Sequence, residues 1–190
     1  MLDAGLVAAV GIADEAGQPY VLPCAYARDG DRLLLHGSTG SRLFRRLAGG
    51  APACVTVTLL DGLVLARSMF ESSMHYRSVM VLGAGTAISG DAKEPALRRL
   101  SEHLMPGRWG DARPPSGKEL AQTLVVGLPL TEWSVKVSDG PPEDDPADLD
   151  RPVWAGVIPF NTRLGEPVHA PGVDAGRPVP RYVASWAPRR

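Results

Sequence analysis

Residues 36–42, His36-Gly37-Ser38-Thr39-Gly40-Ser41-Arg42, follow an apolar run, Leu33-Leu34-Leu35, and open a stretch with helical spacing in Leu43, Phe44 and Leu47. A strand that ends in small residues, hydroxyls and a cation, where a helix starts, is built to hold a phosphate. Glycines let backbone N–H groups approach an anion, hydroxyls donate to it, and the unsatisfied helix N-terminus adds partial positive charge. Arg42 supplies the charge-assisted, bidentate donor. The same residues also make an ordinary Ser/Thr-rich turn closed by an N-cap.

A second constellation is Ser72-Ser73-Met74-His75-Tyr76-Arg77-Ser78, at the start of an apolar run. Alternate residues of a strand share a face, so His75 and Arg77 point one way and Tyr76 and Ser78 the other. One face can line a ligand pocket while the other supports it. A polar strand end with a surface histidine is the plain alternative.

Other chemistries lack their residues. The 37–42 segment has no Gly-Lys-Ser/Thr ending, and Gly83-Ala84-Gly85 lacks the third glycine of a dinucleotide fingerprint. His36, His75, His103 and His169 have no metal-ligand spacing, so no metal is expected. Cys24 and Cys54 sit in apolar runs and read as small buried hydrophobes, not as a disulfide framework. A net charge of −1 and a pI near 6.4 give no global field for nucleic acid or anionic membrane. Arg45-Arg46 and Arg98-Arg99 read as solvated helix surface. The first residues lack the pattern of a signal peptide and no apolar segment is long enough to span a bilayer, so no membrane is expected and cytoplasm is the default.

The positioning elements follow from pattern. The 190 residues fit one domain, and 21 Gly with 18 Pro favour short strands and turns over long helices. Strands are expected at 6–13, 20–27 and 32–36, with an Asp-Gly hairpin at 28–31. A helix at 42–48 stops at Gly49-Gly50. Strands at 53–59 and 63–67 flank a second hairpin signal, Asp61-Gly62. Residues 76–88 read as one further strand with a bulge or sharp coil at Gly83 and Gly85. Helices are expected at 94–104 and 118–123, and 123–137 alternates with Trp133, Val135 and Val137 on one face. The assembly is mainly β (α+β): an antiparallel barrel with short peripheral helices, spanning 1–160. Residues 161–190 form an extended Pro/Gly/Arg-rich arm with no domain of its own.

The ordered set "GDRLLLHGSTGSRLFRRL", "TVTLLDGLVLARS", "SSMHYRSVMVLG", "HLMPGRW", "SVKVSDGPPEDD" and "PVWAGVIPF" closely resembles the pyridoxamine 5′-phosphate oxidase-like flavoproteins, in the branch related to nitroimidazole-resistance proteins. The resemblance covers roughly residues 6–160. It implies an FMN-binding split β-barrel and a homodimer with FMN at the subunit interface. By position, it places His36, Ser38, Ser41 and Arg42 at the FMN phosphate. Tyr76, Arg77 and Ser78 fall beside the flavin ring and ribityl chain. Trp154 lies in a segment that covers the ring in such proteins, with core packing as the other reading. His75 stands where relatives often carry asparagine, and it is the one candidate proton donor, since imidazole titrates near neutrality. Capping the strand end is its other role. Ser138-Asp139 replaces a basic residue that relatives place before the glycine.

The function this implies is an FMN-dependent oxidoreductase, with a reduced donor such as NAD(P)H and a small nitroaromatic- or quinone-like acceptor. Two other readings keep the barrel: a non-catalytic flavin-binding or redox-sensing protein, and a barrel that takes haem, FAD or deazaflavin, with His75 or His36 as the axial ligand of a haem. True pyridoxamine-phosphate oxidation ranks lowest, because the tail lacks a basic substrate-binding segment.

Overall fold

The computed structural model describes residues 1–174 and 176–187. Among these residues nine strands form: β1 Val7–Ala13, β2 Pro19–Asp29, β3 Arg32–Ser38, β4 Pro52–Leu65, β5 Ser73–Ala84, β6 Thr86–Ile88, β7 Thr123–Pro129, β8 Glu132–Ser138 and β9 Gly156–Pro159. Five short helices accompany them: α1 Arg42–Ala48, α2 Lys93–Leu104, α3 Arg108–Asp111, α4 Gly117–Ala121 and α5 Arg181–Ala184. The strand order is β6-β7-β3-β2-β1-β4-β5-β8, with β9 added to β4, and neighbouring strands run antiparallel. This is the split barrel that the motifs imply.

β2 makes the split. Its first seven residues pair with β1, from Pro19 opposite Ala13 to Ala25 opposite Val7, while Tyr26 through Asp29 pair with β3. One long strand therefore feeds two sheets. The hairpin before it is closed by Asp14, whose carboxylate accepts from the backbone N–H groups of Ala16 and Gln18. The turn after it uses Gly30 at φ 58°, the conformation the Asp-Gly signal asks for.

Period-two burial assigns the core. Ala8, Val10 and Ile12 of β1 face inward with Leu33, Leu35, Val55, Val57, Val79, Val81 and Leu128. Leu43, Phe44 and Leu47 of α1 join that cluster at helical spacing. On the other side of β3, Leu34 packs with Ala27 and Val125 beneath Ala96 and Leu100 of α2. Both faces of β3 are thus covered, which is why Leu33-Leu34-Leu35 is apolar throughout.

Four expectations are corrected. The Asp61-Gly62 dipeptide does not turn the chain: β4 runs through it, and the register against β5 shifts by one residue between Leu60 and Gly62. It is a bulge, in which one extra residue is absorbed within a strand. The strand expected at 76–88 is two strands in different pairings, broken at Gly85, where a Cβ would lie 2.5 Å from Val126 and 3.0 Å from the Leu47 carbonyl. The alternating stretch 123–137 divides at Leu130, whose N–H donates to the Asp31 carbonyl at 2.8 Å. Cys24 and Cys54 are half-buried rather than buried.

In the arm, the Tyr182 hydroxyl donates to Asp111 at 2.6 Å and the Trp186 indole N–H to the Leu104 carbonyl at 3.0 Å. No helix among the described residues is long and apolar enough to cross a membrane.

Candidate functional site

The turn between β3 and α1 brings four of the candidate residues together. Gly37 is required there by packing: any Cβ would enter the ring of Phe44, which anchors α1. The Ser38 Oγ accepts from the Gly40 N–H at 3.1 Å, and the Ser41 Oγ caps α1 by accepting from the Phe44 N–H at 3.4 Å. The Thr39 N–H donates to the Gln122 carbonyl and the Ser41 N–H to the Ser38 carbonyl, both at 2.9 Å. Both hydroxyls are therefore engaged in holding the turn, as the plain capping reading requires.

His36 is half-buried, its Nδ1 has no hydrogen-bond partner among the described residues, and burial pushes its pKa down, so it is neutral at neutral pH. Arg42 stands over the Tyr20 ring, 4.5 Å from its centroid, with Nη1 3.9 Å from Asp14 Oδ2. It faces the β1–β2 hairpin and is mostly exposed, so its guanidinium remains available to a ligand.

The second constellation sits at the start of β5. Its two-faced arrangement is the one expected: Arg77 shares a face with the buried His75, Val79 and Val81, while Tyr76 and Ser78 share the other. Lys136, opposite Ser78 on β8, lies 5.3 Å from the Tyr76 ring centroid. Arg77 Nε and Nη2 donate to the two oxygens of Asp61, each at 2.8 Å. That pair holds the Asp61 carboxyl below the usual carboxylate range. His75 is 9% exposed and makes no side-chain hydrogen bond among the described residues. A buried imidazole without a protein hydrogen bond, with Asp61 as its electrostatic neighbour, is an available ligand or donor.

The β4–β5 loop, which leads into β5, is tied to the 139–150 loop. Asp144, with its side chain 5% exposed, accepts from the Arg67 backbone N–H at 2.5 Å and from Arg67 Nη1 at 2.6 Å. Ser72 Oγ donates to the Ser68 carbonyl, which closes the loop. Its tip carries Met69 and Phe70, 89% and 92% exposed, an unusual place for two large apolar side chains. Trp154 is also exposed and lies against Gly156, the first residue of β9, where any Cβ would meet the indole at 2.7 Å. Core packing of Trp154 is thereby excluded.

Within one chain, β2, β1 and β4 stand between β3 and β5 in the sheet. No hydrogen bond or ion pair among the described residues joins the 36–42 turn to residues 75–78. Sequence reasoning missed Asp61, Asp144 and Arg46. The first was hidden in a hairpin signal, the second in an acidic loop, and the third in a basic helix face. No three His, Cys, Asp or Glu side chains gather to form a metal site among the described residues.

The fold and these motifs define a class, and comparison agrees: the family pattern described as pyridoxamine 5′-phosphate oxidase matches residues 1–137. The chain belongs to that family. Among solved structures it is similar to the FAD and heme binding protein from Mycobacterium smegmatis, at 45% identity and TM-score 0.93, covering 96% of this chain and 90% of that one. It is also similar to the flavocytochrome Anf3 from Azotobacter vinelandii, at 41% identity and TM-score 0.90, covering 98% of this chain and 86% of that one. A 5-nitroimidazole antibiotic resistance protein from Bacteroides thetaiotaomicron shares the fold, at 24% identity and TM-score 0.56, covering 70% of this chain and 77% of that one. Comparison with curated proteins found no match.

Proposed function

We propose that this chain is a flavin- and haem-binding electron-transfer protein that works as a homodimer. The observation that carries the reading is His75: a buried imidazole without a protein hydrogen bond near the start of β5, the strand that follows the loop bearing the exposed Met69 and Phe70. Imidazole is the commonest axial ligand of haem iron, and an apolar rim suits a porphyrin face. The two relatives above 40% identity, one named for FAD and heme and the other a flavocytochrome, support the same pairing.

The residues also fit a flavin. Arg42, Ser38 and Ser41, with the close backbone at Gly37, would hold its phosphate end, and His36 would support the turn as a neutral ring. Tyr76, Arg77, Ser78 and Trp154 would hold and cover its ring. When bound, a flavin exchanges electrons in pairs or singly, and a haem exchanges them singly. The protein's share is orientation. Asp61 fixes the Arg77 fork, the Asp144–Arg67 pair fixes the base of the apolar tip, and the His75 ring is left without a protein hydrogen bond. The ordered motifs point to FMN, while the relative named for FAD favours FAD in this chain. A reduced nicotinamide as donor and a small electrophile as acceptor complete the reading.

The separation of the two constellations in one chain is consistent with sites completed by a second copy. The β8 edge supports that, because Trp133, Val135 and Val137 are 60%, 46% and 49% exposed.

The test is the absorption spectrum of purified protein, with the mass of each ligand released on denaturation. Both a flavin band and a Soret band are expected, and His75→Ala should lose the Soret band while keeping the flavin. A wild-type protein that binds flavin and, titrated with haemin, develops no Soret shift would overturn the haem half. It would leave the FMN oxidoreductase as the reading.

A further inference from the structure

Between the β1–β2 hairpin and α1 lies an open cavity of about 800 Å³, lined by Asp14 and Glu15 on one side, by Arg42, Arg45 and Arg46 on the other, and floored by residues 49–51. Arg42 and Arg46 are four residues apart on α1, so they stand one above the other on one helix face. Arg45 adds a third guanidinium with no ion pair among the described residues.

These cations are poorly satisfied by the protein. Arg42 reaches Asp14 only at 3.9 Å, and Arg46 reaches Glu15 only at 3.4 Å. Glu15 is 95% exposed, so water and salt screen its hold on Arg46. Arg46 itself is 26% exposed, and its Nε is buried with no acceptor among the described residues. A buried guanidinium N–H without an acceptor costs free energy that an incoming anion recovers. Tyr20, under Arg42, likewise has a buried hydroxyl with no partner among the described residues.

One phosphate needs one fork. Two forks about 6 Å apart along the helix axis match two linked phosphates. We infer that Arg46 acts with Arg42 to hold the diphosphate of a dinucleotide in this cavity, with Arg42 on the phosphate nearer the β3–α1 turn and Arg46 on the second. The inference rests on the reading that the β3–α1 turn anchors the flavin. Two ligands carry that chemistry: FAD, and a reduced nicotinamide dinucleotide as electron donor.

The test uses full-length protein stripped of ligand and titrated separately with FMN and FAD by flavin fluorescence, then with NADPH by calorimetry after flavin is restored. Arg46→Gln should weaken FAD by about tenfold and leave FMN unchanged, as loss of one charge-assisted contact predicts. Arg42→Gln should weaken both flavins. Glu15→Gln, which frees Arg46 and sits fully in solvent, should tighten FAD by about threefold. Arg46→Lys should recover part of the loss, and matching melting curves confirm folding. Weakening confined to NADPH assigns the diphosphate to the donor instead. If Arg46→Gln changes none of the three affinities, or changes FMN and FAD equally, the inference is wrong. A wild-type chain that binds neither flavin overturns the flavin reading separately, and NADPH titrated into the flavin-free wild type and Arg46→Gln proteins then decides the cavity.

Discussion

Arg77 grips Asp61 as a two-pronged fork, Nε to Oδ2 and Nη2 to Oδ1, each at 2.8 Å. The carboxylate is there because the β4 bulge inserts Asp61 between the partners of Tyr76 and His75. A dipeptide that in isolation signals a hairpin instead aims an acid at the cation beside the candidate ring site. The pair thereby fixes the orientation of Arg77 before any ligand arrives.

The first prediction concerns acid. Because Arg77 lowers the Asp61 pKa in the folded state, the pair's contribution is full above the unfolded carboxylate value of about 3.9 and is lost as pH falls through the lower folded value. Both side chains are about one-third exposed, so solvent screening holds the contribution to about 1 kcal/mol or less. Asp61→Asn should cost that much in urea unfolding at about pH 7, and the gap from wild type should close as the pH falls from the unfolded carboxylate value of about 3.9 through the lower folded one. A gap of constant size across that range would show that the ion pair is not its cause.

A second prediction concerns the turn. Gly37→Ala forces a methyl group into the Phe44 ring and should destabilise the protein by about 1–3 kcal/mol, the usual cost of overpacking. In a Phe44→Leu background the same substitution should cost less, because the narrower side chain leaves room. Urea unfolding of the four proteins gives the coupling directly, and strict additivity would rule out the proposed clash.

The third is about association. Val135→Lys puts a charge in the middle of the exposed β8 face and should convert a dimer to a monomer in sedimentation experiments. Wild-type protein that already sediments at monomer mass would sink the homodimer, and with it the shared flavin site.

Much of this was legible beforehand. The period-two burial of β1, the Asp-Gly turn at Gly30, and the α1 stripe of Leu43, Phe44 and Leu47 are local patterns, and each appears where the pattern places it. The Ser41 cap and the two faces of β5 were readable for the same reason. Gly85 and Leu130 were not: both break strands where the chain moves between pairings, and the need to move arises from distant partners, Val126 and Asp31.

The site divides in the same way. Types and order of residues, from His36 through Arg42 and from His75 through Ser78, were enough to suggest an anion turn and a ring-facing strand, since those chemistries reside in side chains close in sequence. The Asp61–Arg77 fork, the Asp144–Arg67 clasp across 77 residues, and the facing of Arg42 and Arg46 toward the β1–β2 hairpin came only with the fold. Local pattern determines which residues share a strand face or helix face, because backbone geometry repeats over a few residues. Which charges end up paired, and which are left for a ligand, is decided by strands brought together from opposite ends of the domain.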